Sequence, residues 1–334
     1  MKSKSKVVDI LNRAWKSLLL PAIVFLAFTL ILGEDFLNSR LLLTIARQTV
    51  MPILLAFSMA LMMFMGMMNF AMGAVLYTAV ILGAYVAQSL GGGIPLIFVF
   101  TVIFAIIFMA INGWLYNLLK VPCIVLSLGL ALVIEALGRM LVPSGTAEIG
   151  GRDGYLAQSP YCFVILLIGF VIFYVVFNYT TFGHNVRAIG ESQQVATQAG
   201  INVARTKFIA FVLSGLFVGM ASMLFLSSSV KIYAASNLAS LSQIFDSMMG
   251  VFIAMFLARY CGFPLGLVIG VATMRMVSTG LVTAGMRTTM KSISTGVFLL
   301  AVLIFSANQS RPAAYRQFKR NGEMADKEYQ ASLK

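Results

Sequence analysis

Few residues in this 334-residue chain could carry covalent chemistry. There is one histidine, His184, and the three cysteines, Cys123, Cys162 and Cys261, stand far apart with no C-x-x-C spacing. Neither a metal site nor a disulfide framework follows from such a set, and no cofactor is expected. No G-x-x-x-x-G-K-[ST] run is present, so the chain has no ATP-binding P-loop of its own. The remaining chemistry is non-covalent recognition by polar residues set in apolar runs. Glu135 and Arg139 stand four apart, a spacing that lets them pair on one helix face. Arg275 lies inside another run and Asp246 near the end of one. Asn69, Gln88, Asn112 and Asn117 can hydrogen-bond hydroxyl groups, and Phe64, Phe70 and Trp114 can stack on a ring. Each has a plainer alternative: ion pairs and amides also tie helices together, and aromatic residues also pack or face lipid. Asn69 stands out because it sits at a break between two apolar runs.

The elements that must position these residues are membrane helices. The composition is 60% hydrophobic and 10% charged, with mean hydropathy +0.93, whereas soluble domains carry about 25% charged residues. A helix needs about 20 apolar residues to cross a bilayer. Ten stretches qualify, at 17–33, 45–67, 70–90, 94–114, 121–142, 161–178, 207–228, 240–258, 263–283 and 292–307, the eighth being the weakest. The expected fold is all-α, a polytopic bundle of about ten spans. It has a basic N-terminal segment at 1–16, a membrane domain at 17–307 and a polar tail at 308–334. The first stretch is long and lacks a small-x-small cleavage site, so it reads as a retained span rather than a signal peptide.

The net charge of +13 does not point to nucleic acid, because the basic residues gather at segment ends and in the tails. With both termini in the cytoplasm, 16 of the 24 basic residues fall inside and eight outside or in the outer half. That orientation places the most polar internal stretch, 180–207, in the cytoplasm. Ser192 there can cap a short helix over 193–199, and Gly200 can close it. Val195, Ala196 and Ala199 would form a small apolar knob for a partner's groove. An amphipathic loop lying on the membrane surface is the alternative.

The run TTFGHNVRAIGESQQVATQAGINVARTKFIAFVLSG resembles the signature of bacterial ABC-transporter permeases of the ribose-type sugar uptake family. Gly183, Ala188, Gly190, Ala196, Gly200, Ile201, Val203, Ser214 and Gly215 carry the match. So do Asn112-Gly113, Val121-Pro122 and Leu126-Ser127-Leu128-Gly129, and Met290–Phe305 resembles the family's last span. The resemblance implies a multi-pass permease of the bacterial inner membrane that is not itself an enzyme. Its implied partners are ABC ATPase subunits, an extracytoplasmic solute-binding protein, a second permease subunit and membrane lipid. It implies a monosaccharide as the solute and ATPase coupling through the segment that holds Gly190, Ser192, Val195, Ala196, Ala199 and Gly200. The polar and ring-bearing residues in or beside the spans, Asn69, Phe70, Asn112, Glu135 and Arg275, are the path residues expected from their own types and positions.

The chain departs from the pattern at Asn69-Phe70-Ala71-Met72-Gly73, where sugar permeases carry D-L-S-V-G. This stretch is closer to the N-F-A-x-G of branched-chain amino-acid permeases in the same superfamily. It departs again at 245–252. Nucleosides and branched-chain amino acids therefore stay open as solutes, as does a homodimer against a heterodimer. An ion-gradient transporter would need a buried acidic relay, and Glu135, the one acid well inside an expected span, is already expected to pair with Arg139. A structural partner for a second, competent permease is the remaining alternative.

Overall fold

The computed structural model describes residues 21–30, 38–149, 154–285 and 296–297. Segment 1–16, the tail 308–334 and all but two residues of the stretch 292–307 lie outside it. Of the first expected span, a helical piece α1 (Pro21–Leu30) is described.

Eight of the expected spans are helices long and apolar enough to cross a membrane. They are α2 (Ser39–Met63), α3 (Ala71–Ser89), α4 (Ile94–Leu119), α5 (Cys123–Leu141), α6 (Tyr161–Tyr179), α9 (Val203–Ser229), α10 (Ser242–Cys261) and α11 (Phe263–Thr283). Between α6 and α9 lie two short helices, α7 (Thr181–Glu191) and α8 (Gln193–Gln198). The all-α expectation is corrected at one place. Two three-residue strands, β1 (Thr146–Glu148) and β2 (Lys231–Tyr233), pair antiparallel with Ala147 opposite Ile232. The loops after α5 and α9 meet there, and their backbone groups pair with each other because no helix continues to satisfy them. Lys231 Nζ lies 2.7 Å from Glu148 Oε2 across this ladder, and that hydrogen bond holds the Lys231 ammonium above its ordinary pKa.

Burial sorts the helices. α3 and α9 are buried on most sides, and the inner two-thirds of α2 joins them. α4 and α6 instead expose apolar rows, Val99, Ile103 and Ile107 on one and Val164, Leu167 and Val171 on the other. Such rows suit lipid, where exposed aliphatic side chains carry no hydrophobic penalty. α9 meets α4 through Gly215-x-x-x-Gly219. A Cβ at either glycine would lie 2.7 Å from a Cα of α4, Ile106 or Val102, so small residues permit the close backbone approach. A stack of phenylalanines fills the middle: Phe57 lies 4.7 Å from Phe173 and 5.8 Å from Phe217, and Phe64 lies 4.3 Å from Phe263, between centroids. Phe64 is thus a packing residue, as is the buried methionine set around Met59–Met63. Trp114 is exposed on α4.

Candidate functional site

Three sites emerge, arranged along the bundle. The first is a cavity of about 280 Å³ near the ends of α2, α6, α9, α10 and α11. Its polar lining is Arg47, Gln48, Gln243, Asp246 and Arg275. Cys162 also lines it, at the start of α6, and Ser228 at the end of α9. The cavity is therefore at the opposite end of the bundle from α7 and α8, which follow α6 and precede α9. Arg47 is eight residues into α2, so the cavity reaches about 12 Å below the helix end at 1.5 Å per residue. Arg275 Nη1 lies 3.5 Å from Asp246 Oδ2, and Arg275 Nη2 donates to Gln48 Oε1 at 2.9 Å. The Nε atoms of both Arg47 and Arg275 are buried without a hydrogen-bond partner among the described residues. Of the path residues expected from sequence, Arg275 is the one that lines this cavity. Sequence reasoning missed Arg47, Gln48 and Gln243. Their signal was polarity within or beside a span, which Arg47 shares with Arg275.

The second site is a joint where α2 ends and α3 begins. Asn69 is fully buried. Its Oδ1 accepts from Ala71 N at 3.0 Å and from Asn112 Nδ2 at 3.1 Å, while Phe70 N donates to Ser127 Oγ at 3.0 Å. The N–H groups at the start of α3 are thus met by two side chains, Ser127 of α5 at Phe70 and Asn69 at Ala71, while Asn112 of α4 donates to the same Asn69 oxygen, as an irregular chain inside a membrane protein requires. Asn112 Oδ1 is left unpaired among the described residues. Asn69 and Asn112 come together here, and neither is solvent-exposed.

Glu135 stands apart from both, and its predicted partner is corrected. It does not pair with Arg139, which is exposed. Buried at 2% exposure, Glu135 accepts from Leu238 N at 3.0 Å through Oε2 and from Ser240 N at 3.3 Å through Oε1. The turn before α10 offers N–H groups with no helical partner. Two such donors suit a buried carboxylate better than a guanidinium on its own solvent-facing side. Gln88 and Asn117 likewise serve the frame, donating to the carbonyls of Glu148 and Ala204.

The third site is the polar island. The sequence predicts one helix here, and the structure holds two. Thr180 caps α7 by accepting from Gly183 N at 3.1 Å. The sign of α7 was the apolar spacing Phe182, Val186 and Ile189 behind a threonine. Ser192 caps α8 as expected, accepting from Val195 N at 3.4 Å. Gly200, at φ +82°, closes it with Gly200 N bonded to Thr197 O and Ile201 N to Ala196 O, the paired bonds of a Schellman end. The apolar knob is corrected: Ala196 is buried at 2%, while Val195 is 62% exposed and Ala199 is exposed. Adjacent helix positions point about 100° apart, so Val195 and Ala196 cannot share a face. His184 is exposed on α7.

The island is clamped to the bundle at two points. A Cβ at Gly190 would collide with the carbonyl oxygen of Phe64, the C-cap of α2. Lys207, 8% exposed, donates to Gln193 Oε1 at 3.1 Å on α8 and to Tyr116 Oη at 3.2 Å on α4. One clamp reaches the helix that leads into the joint. The other reaches the bottom of α9, whose far end lines the cavity.

Comparison with known proteins gives a single family. Residues 41–306 match the family described as branched-chain amino acid transport system / permease component. The ribose import permease protein RbsC of Bacillus subtilis is 25% identical over 292 residues, covering 84% of this chain and 88% of the relative. The autoinducer 2 import system permease protein LsrC of Photorhabdus luminescens is 26% identical over 287 residues, covering 80% and 85%. The L-arabinose transport system permease protein AraH of Escherichia coli is 29% identical over 126 residues, covering 35% and 38%. No solved structure matches significantly. With a family match over most of its length and eight apolar helices, the chain belongs to the branched-chain amino acid transport system / permease component family, as a multi-pass inner-membrane permease of the ABC-importer superfamily that includes the ribose type.

Proposed function

We propose that this chain forms the translocation path of an ATP-driven importer for a monosaccharide, handed over by an extracytoplasmic binding protein. The cavity is the entry end of the path. The exposed face of α7 and α8 is where an ATP-binding subunit docks, on the cytoplasmic side, and a second permease subunit completes the path. The observation that carries this reading is the placement of the two ends. A polar cavity of small-ligand scale sits at one end of α6 and α9, and a capped two-helix island clamped to the bundle sits at the other. Ligand pockets run from about 300 Å³ upward, so the solute is small. The relatives are named for ribose, arabinose and autoinducer 2 import, which supports a sugar-like solute. The polar part of the lining, two guanidinium groups, a carboxylate and two amides, suits a hydroxylated solute. Glu135, held by two backbone N–H groups, is not placed to act as a proton relay. Family membership itself speaks for ATP rather than an ion gradient.

The test is docking. Val195→Asp with Ala199→Asp places charge on the exposed face of α8 without touching the buried Ala196. An affinity-tagged chain carrying both changes should lose co-purification of the ATP-binding subunit and lose solute-stimulated ATP hydrolysis. Undiminished association and coupled hydrolysis would refute the docking assignment.

A further inference from the structure

The charges around the cavity do not balance. Among its described lining residues, Arg47 and Arg275 bring two positive charges and Asp246 one negative. Asp246 is committed to Arg275 across α10 and α11, and Gln48 holds a second amino group of that guanidinium. Arg47 has no ion-pair partner among the described residues, and its Nε, like that of Arg275, is enclosed without a hydrogen bond. A guanidinium left without an acceptor beside hydrocarbon is costly, and this cost falls when a ligand supplies the missing acceptor. Its planar fork of donors matches a carboxylate in two parallel hydrogen bonds. The uncharged polar part of the lining, Gln48, Gln243 and Ser228, offers amide and hydroxyl groups suited to a polyol, beside apolar wall from Met51, Leu224 and Phe225.

We propose that the cavity takes a hydroxylated solute bearing one carboxylate, an aldonic or uronic acid, with Arg47 binding the carboxylate and the Asp246–Arg275 pair shaping the wall opposite. This rests on reading the cavity as the entry of the solute path. The one positive charge without a counter-charge among the described lining residues, that of Arg47, selects the ligand class. A phosphate monoester carries about −1.5 to −2 at neutral pH, more than one guanidinium offsets, whereas a carboxylate carries one charge. A neutral sugar would leave the Arg47 guanidinium without an anionic partner.

The experiment uses the importer reconstituted in liposomes with its ATP-binding and binding-protein partners, the chain being wild type, Arg47→Gln or Arg47→Lys. Uptake of radiolabelled D-gluconate, D-galacturonate, D-glucose, D-ribose and glucose 6-phosphate is compared, and co-purification of the partners monitors assembly. The expected result is ATP-dependent uptake of a sugar acid at least tenfold over the neutral sugars and the phosphate ester. Arg47→Gln should reduce it at least tenfold, Arg47→Lys should restore part of it, and assembly should stay intact. Direct binding of labelled gluconate or galacturonate to the purified chain in detergent should follow the same order, which keeps the outcome readable if a variant assembles poorly. Uptake confined to neutral sugars, or sugar-acid uptake that Arg47→Gln leaves unchanged, would overturn the carboxylate assignment and leave the importer reading standing. ATP-independent uptake, or none of any probe, would overturn the importer reading and the carboxylate assignment with it.

Discussion

Gly190→Ala measures how tightly the island is seated on the bundle. Gly190 lies in the last turn of α7, and the direction a Cβ would take ends on the carbonyl oxygen of Phe64. Two effects oppose each other. Alanine gains up to about 1 kcal/mol over glycine inside a helix. Forcing a methyl group against backbone, which no rotamer change can relieve, costs about 1–3 kcal/mol. Gly129→Ala is the matched control, because Gly129 lies within α5 and a Cβ there meets nothing within 4 Å. The propensity gain is common to both variants, so their difference isolates the contact. Gly190→Ala should unfold more readily in detergent than Gly129→Ala by about 1–3 kcal/mol. It should also show weakened coupling of ATP hydrolysis to uptake, because the island is displaced from α2. If Gly190→Ala matched Gly129→Ala in stability and coupling, the island would not bear on Phe64 and the clamp would be refuted.

Two further outcomes follow from the joint and from the second clamp. Asn69→Leu strands the Ala71 N–H and the Asn112 amide in a buried site, at about 1–3 kcal/mol for each unmet group. Detergent unfolding should show that loss, and a variant as stable as wild type would dissolve the joint. A double-mutant cycle of Lys207→Met with Gln193→Ala should give a coupling energy of about 1 kcal/mol, since Lys207 is buried while Gln193 is exposed. A coupling near zero in the unfolding midpoints would mean that the α8–α9 contact carries no energy.

What could be read from the sequence was what depends on neighbours in the chain. The apolar runs located eight helices, and Ser192 and Gly200 bounded α8, because a cap is a contact over three residues. Burial of Ala196 was not readable, since it depends on which face of α8 turns to the bundle. Partners distant in sequence were also out of reach. Glu135 finds its donors 103 and 105 residues away, and Arg275 reaches Gln48 across 227. The i,i+4 spacing of Glu135 and Arg139 suggested a local partner, but the unpaired N–H groups of a remote turn outcompeted it. The cavity was hidden for the same reason: its polar residues are spread over α2, α10 and α11 and meet only in three dimensions.

Under the proposed function, the positions of the clamps constrain how motion at the island would reach the solute. α9 is held at its lower end by Lys207 and at mid-height by a buried hydrogen bond between Ser214 and Ser58 of α2. The Gly215–Gly219 contact holds it against α4, and its upper end forms cavity wall at Leu224 and Ser228. Packed helices with close backbone contacts shift as units rather than bend, because the interior is too dense to absorb local strain. A push on α8 therefore acts on α9 as a lever of 27 residues, about 40 Å at 1.5 Å per residue. A push through Gly190 instead meets α2 at the joint, where the backbone is already irregular and tied by Asn69 rather than by helix bonds. The two routes converge on the cavity, α2 through Arg47 and Gln48 and α9 through Leu224 and Ser228. In the proposed cycle the joint at Asn69 is where α2 can move relative to α3. Gly66 sits just before it at φ +72°, a conformation an L side chain adopts only with strain, so Gly66→Ala should distort the joint and slow uptake more than it alters solute binding.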